Sequence, residues 1–242
     1  MSSAQTSFGS RIDNAKKIWV HTTTFPEFNP PTEQSVIVFG QFLTDLEKHN
    51  TDTAGKIQEH SNATHIRQKS FKTGKDSLTK MSIQILAAIR SQFGKNSRQA
   101  TDVKIIVARI TGSKVKKMVK EPDPGAQQSA ATETRSISHR ETGFGNLLKT
   151  FGDIVATVKN YGEEYTPGNP SLTIKSLESR LVELSAINRD VTATYSALQQ
   201  NRFERIALYK KLADTIQRIK NAVVSQYRAG SVEHVLIKGI KV

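Results

Sequence analysis

The chain contains no cysteine. Disulfides, thiolate metal sites and a cysteine nucleophile are thereby excluded. No apolar run approaches the length needed to span a bilayer. The first residues, MSSAQTSFGSRIDN, lack the apolar core of a secretory signal. A cytoplasmic protein without membrane insertion is the expectation. Hydrophobic residues make up 36% of the chain, below the usual share for a compact domain. Catalytic signatures are missing as well. There is no GxGxxG, Walker loop, GxSxG, HExxH or calcium-loop pattern. The histidines, His21, His49, His60, His65, His139 and His234, form no i,i+4 pair, and no carboxylate cluster has metal-ligand spacing. The sequence therefore predicts no enzyme: no catalytic, cofactor-binding or metal residues, and no small-molecule substrate.

What is present is positive charge, +13 from 35 basic and 22 acidic residues. Such a balance suits nucleic acid, an anionic surface or acidic partners. The excess is spread along the chain, and only residues 114–140 concentrate it. That segment is polar, with Pro, Gly, Gln and Ser, and reads as a flexible basic linker.

On either side of the linker the sequence repeats itself. FLTDLEKHN (42–50) matches RLVELSAIN (180–188), and AIRSQFGKNS (88–97) matches AVVSQYRAGS (222–231). The offset is 138 from Val36/Ile174 to Phe71/Tyr209 and 134 at Phe93/Tyr227, so the first copy holds four extra residues near KTGK (72–75). Four residues are about one helical turn. The expected organisation is a disordered N-terminus at 1–10, repeat 1 at 11–113, the linker at 114–140, and repeat 2 at 141–242, with the two repeats packing as one bundle. Each repeat reads as a short helix, a Pro turn, a long helical region and a short β-like tail, at 103–110 and 235–242. The tails are expected to pair with each other or with another chain by strand addition.

The long region of repeat 2 has no Gly or Pro from 171 to 228, and Ser171 is placed to cap its start. A 3-4 apolar spacing runs Leu177, Leu181, Leu184, Asn188, Val191, Tyr195, Leu198, Arg202, Arg205, Tyr209, Leu212, Ile216, Ile219 and Val223. So long a heptad seam argues for a coiled coil. Repeat 1 matches it with Phe39, Leu43, Leu46, Asn50, Thr53, Ile57, His60, Thr64, Arg67 and Phe71, resuming at Leu78, Ser82, Ile85, Ile89 and Phe93. Two foldings fit: one unbroken helix, or a hairpin near 60–66 and 198–204 where the seam turns polar. Either gives a mainly α fold, in which tandem-duplicated long helices pack as an antiparallel helical bundle or coiled coil. Gly94 and Gly230 sit where C-caps are needed.

Asn50, Asn188, Arg67 and Arg205 fall on the seam in both copies. They are candidate register or partner positions, because a seam Asn fixes alignment and a seam Arg must find an acceptor. Candidate anionic-partner contacts are Lys69, Lys72, Lys75 and Lys80, with Lys114, Lys116, Lys117 and Lys120 in the linker. Solvated helix faces are the plainer reading of these lysines. Trp19, Phe25, Phe28, Tyr161 and Tyr165 flank the Pro turns and read as staples on the helices.

The elements FGKNS and EYTPGNPSLTIKSLESRLVEL resemble those of a group of bacterial proteins of similar length and uncharacterised activity, built from two tandem helical repeats. An FGxxS-like element closes each long helix there. Repeat 2 departs from it with YRAGS. The resemblance implies no catalytic residues. The functional expectation is a non-enzymatic helical scaffold or assembly subunit, acting by protein–protein packing with itself or a larger complex. The alternative is sequence-independent phosphate contact with nucleic acid.

Overall fold

The structure, a computed structural model, describes residues 7–112 and 143–242. It is mainly α, with no strand among the described residues. Seven α-helices follow in order among them: α1 Phe8–Thr24, α2 Val36–Gln68, α3 Leu78–Phe93, α4 Arg98–Thr111, α5 Phe144–Lys159, α6 Ile174–Tyr227 and α7 Val232–Lys238. They build two compact units. Unit 1 comprises the chain to Ser61 together with Ala193–Val242, and unit 2 comprises Asn62–Thr192. Each unit thus contains a short helix and part of a long helix from one half of the chain, and the end of a long helical region from the other.

In repeat 2 the long region is one helix of 54 residues, so the hairpin is not formed there. In repeat 1 it breaks where the extra residues lie. Helix α2 widens into a π-turn at Lys69–Thr73, and Gly74 N–H closes it on Lys69 O at 2.8 Å. A Cβ at Gly74 would lie 2.7 Å from that same carbonyl oxygen, so only glycine closes the turn without a shift. Two hydroxyls then accompany the carbonyls freed at the end of the turn. Ser77 Oγ donates to Lys72 O at 3.3 Å and Thr79 Oγ1 to Phe71 O at 3.0 Å.

The core of unit 1 gathers Ile12, Ala15 and Ile18 of α1, Phe39, Leu43 and Leu46 of α2, Leu212, Ile216, Ile219 and Val223 of α6, and Ile237 of α7. Each set recurs at three or four residues, the stripe a helix buries. Unit 2 is centred on α5, which is amphipathic and buries Leu147, Phe151, Ile154, Val155 and Val158 against α3, α4 and the start of α6. Away from these cores the long helices bury less. In the middle of α6, Val191 and Leu198 are buried but Tyr195 between them is exposed. On α2, Ile57 is exposed, and Ala63 is buried in place of the expected Thr64.

Two expectations are corrected. The stretches 103–110 and 235–242 are not β-like. Residues 98–111 form α4 and 232–238 form α7, each opened by a serine cap, Ser97 accepting from Ala100 N–H and Ser231 from His234 N–H. The β-branched content suggested strands, but Val103, Val107 and Ile110 recur at helical spacing and are buried. Burial of that face outweighs the modest strand preference of Val and Ile. Capping also differs. Ser171 lies in a 3-10 turn, and Thr173 Oγ1 accepts from Ser176 N–H at 3.4 Å to open α6. Gly94 ends α3 at φ 89°, as expected, whereas the left-handed residue directly after α6 is Arg228, at φ 74°.

Candidate functional site

The predicted seam residues of the two halves of the chain meet within each unit. In unit 2 Arg67 Nη1 donates to Asn188 Oδ1 at 3.3 Å. The guanidinium lies 4.2 Å from the centre of the Phe144 ring, and Lys72 Nζ lies 4.7 Å from that same centre. Phe71 meets Phe144 edge-on. Unit 1 repeats the arrangement with one change. Arg205 stands 4.2 Å over the ring of Phe8, and Phe8 packs on Tyr209 with centroids 4.6 Å apart. Here Tyr209 occupies the place of Phe71, and its hydroxyl redirects the asparagine. Asn50 Nδ2 donates to Tyr209 Oη at 2.6 Å, and Tyr209 Oη donates to Phe8 O at 2.9 Å. Burial is the main cause of the raised Tyr209 pKa, with the hydrogen bond from Asn50 opposing it. Arg11 Nη2 adds a bond to Tyr209 O at 3.0 Å. Asn50 Oδ1 and the Nε atoms of Arg67 and Arg205 are buried without hydrogen-bond partners.

Each cluster is an Arg–aromatic clasp that fastens the start of a short helix to the long ones. A cation over an aromatic face contributes about 0.5–2 kcal/mol, depending on desolvation. Neither clasp brings together a nucleophile and a base. The sequence reading placed the Asn and Arg positions but missed Phe8 and Phe144. Their signal was the dipeptide Phe-Gly at 8–9 and 144–145, which opens each short helix.

In unit 1 a polar layer sits between α2 and α6. Thr53 Oγ1 lies 2.5 Å from Asn201 Oδ1, and Asn201 Nδ2 donates to Asp52 Oδ2 at 2.7 Å. His49 Nε2 is 3.1 Å from Asn201 O, and His60 Nδ1 is 3.3 Å from Thr194 Oγ1. His60 is therefore an interhelix contact. Asn201 is buried although Arg202 was the expected seam residue.

A second repeated device lies at the Pro turns. In unit 1 Gln226 Nε2 donates to Glu27 O at 2.6 Å, its Oε1 accepts from Asn29 N–H at 3.0 Å, and Tyr227 packs on Phe25 and Phe28. In unit 2 Gln92 donates to Glu164 O and to Thr166 Oγ1, accepts from Thr166 N–H at 3.2 Å, and Phe93 packs on Tyr161. The Ser-Gln-aromatic tripeptides at 91–93 and 225–227 are thus hooks that hold the Pro turns. Tyr165 is buried with its hydroxyl on Leu172 O at 3.0 Å, and burial pushes its pKa up to about 12. Trp19 Nε1 donates to Val36 O at 2.9 Å.

Among the predicted anionic-partner contacts, Lys69, Lys75 and Lys80 are exposed around the π-turn. Lys72 is half-buried against Phe144. Lys114, Lys116, Lys117 and Lys120 lie outside the described residues. A groove of about 560 Å³ between α1 and α2 is lined by Trp19, Val20, Ile37 and Leu43, with the Lys16–Glu47 ion pair among its polar residues. Among the described residues no group of three or more His, Asp or Glu side chains is placed to hold a metal, and no helix is long and apolar enough to cross a membrane. Comparison with protein-family models, with curated proteins and with solved structures gives no match.

Proposed function

We propose that this chain is a helical scaffold or assembly subunit that acts by packing against other protein surfaces. The supporting observation is the set of large apolar side chains left in solvent on the long helices. Tyr195, Phe203 and Ile206, within twelve residues of α6, are 51%, 67% and 58% exposed. Exposed apolar residues scattered singly are ordinary, but an accumulation on rigid helices marks an interaction surface. The matching clasps and hooks support reading the chain as a tandem duplication. Its long helices form an antiparallel bundle in which the clasps set alignment. Cross-linking in the cell of origin tests the proposal. Covalent products heavier than the monomer are expected, and recovery of monomer alone would sink it.

A second reading rests on the basic π-turn. Lys69, Lys75 and Lys80 are exposed within a short arc of a chain carrying +13. Sequence-independent phosphate contact would use such a group. It predicts binding to mixed-sequence nucleic acid that weakens steeply with salt. Absence of binding at low salt removes it.

A further inference from the structure

In unit 1 the contacts Thr53–Asn201 and His60–Thr194 fall in opposite residue order on α2 and α6, so the two helices run antiparallel there. Successive residues of a helix turn by about 100°. Positions rotated in the same sense away from the contact line therefore share one flank of an antiparallel pair. One flank of residues 48–61 and 193–207 holds Ala54, Ile57, Tyr195 and Ile206, with Gln58 and Gln199 between them, and Phe203 borders it on the outer face of α6. Arg202 is its one charged residue. The opposite flank holds Lys48, Asp52, Lys56, Glu59 and Glu204. The large apolar side chains of the first flank are far from buried, with Ile57 at 45%, Tyr195 at 51% and Ile206 at 58% exposure, and Phe203 at its edge is 67% exposed. At about 200 Å² for a large side chain, roughly 400 Å² of apolar surface stands in water, the size at which a patch marks an interface.

We infer that this stripe docks a second copy of the same chain, stripe to stripe. Aromatic enrichment with depletion of charge is the composition of an interface core. The choice of occupant follows from charge. Two chains of +13 repel wherever basic faces meet. The stripe is a surface on which they approach with little electrostatic cost. A docking site for an acidic partner would instead be rimmed by cations. The dimensions also suit a pair. A face about 20 Å long and two helices wide covers on the order of 450 Å², and two such faces bury about 900 Å², the size of a weak, reversible interface. A two-fold pairing is self-complementary for a stripe of this composition. Arg202 opposes it, because the pairing brings two like guanidiniums into one interface. Added salt screens that repulsion and tightens the dimer, the reverse of the salt response of phosphate binding.

The inference rests on the assembly reading and is tested by sedimentation equilibrium of the full chain over the micromolar range, at low and high salt. The expected result is a monomer–dimer equilibrium that tightens with salt. Ile206→Glu is expected to weaken it by about tenfold or more, and Arg202→Gln to strengthen it. Lys48→Ala, which changes an exposed residue on the opposite flank, is expected to leave it unchanged. Circular dichroism checks that each variant remains folded. A wild-type chain that stays monomeric at both salts, or a dimer indifferent to Ile206→Glu, overturns the docking. If that monomer still cross-links to other proteins in the cell, only the self-docking falls. If it cross-links to nothing, the assembly reading falls with it.

Discussion

Replacing Tyr209 by Phe gives unit 1 the ring that unit 2 has at Phe71. The change removes the hydroxyl that accepts from Asn50 and donates to Phe8 O. Two partly buried hydrogen bonds at about 1 kcal/mol each put the direct loss near 2 kcal/mol. Asn50 is then released to turn toward Arg205, as Asn188 bonds Arg67 in unit 2. A bond to a charged group recovers about 1 kcal/mol or more, leaving a net cost of about 1 kcal/mol. The decisive step is to add Arg205→Met. In the wild-type background it removes a cation–π contact but also a buried Nε without a partner, so its cost stays below about 1 kcal/mol. In the Tyr209→Phe background it also strips Asn50 of its new partner and costs about 2 kcal/mol. Urea unfolding of the four proteins measures the coupling, expected near 1 kcal/mol. Additivity within about 0.3 kcal/mol would refute the idea that the hydroxyl is what distinguishes the two clasps.

Other changes test other parts of the structure. Arg228→Gly relieves a left-handed residue at φ 74° and should raise stability by about 0.5–1 kcal/mol, seen as a higher urea midpoint. Gly74→Ala forces a Cβ against Lys69 O and should lower it by about 1–3 kcal/mol. Gln226→Ala frees the 27–29 turn from α6 and should cost about 1–2 kcal/mol, with faster amide exchange in that turn. The Tyr165 pKa, raised to about 12 by burial, exceeds its unfolded value near 10. Its neutral form therefore stabilises the fold fully below about pH 10. That contribution falls by up to about 1.4 kcal/mol per pH unit as pH climbs toward 12. Tyr165→Phe should flatten the alkaline limb of a stability–pH curve.

The helices were legible wherever burial is one-sided and continuous. Phe39, Leu43 and Leu46 on α2, and Leu212, Ile216, Ile219 and Val223 on α6, are buried as their spacing required. The break at the extra residues was legible as a length difference, but not as a π-turn, because that depends on Gly74 approaching a carbonyl. The middle of the seam was misjudged at Ile57 and Tyr195. Apolar character marks a buried face only where a core lies opposite it, and there the long helices have little to pack against. The misread tails show the converse: β-branched side chains form a helix when their i, i+4, i+7 face has a core to cover. Of the clasps, Asn and Arg were visible on the seam, while Phe8 and Phe144 stand far from it in sequence and join it only through the fold.

The assembly reading and its nucleic-acid alternative part most cleanly in the sedimentation of the protein in extracts of its own cells. The measurement is made at low and high salt, with and without nuclease. The account predicts a species heavier than the 26.8 kDa chain that survives both nuclease and salt. Collapse to the monomer under either treatment would contradict it.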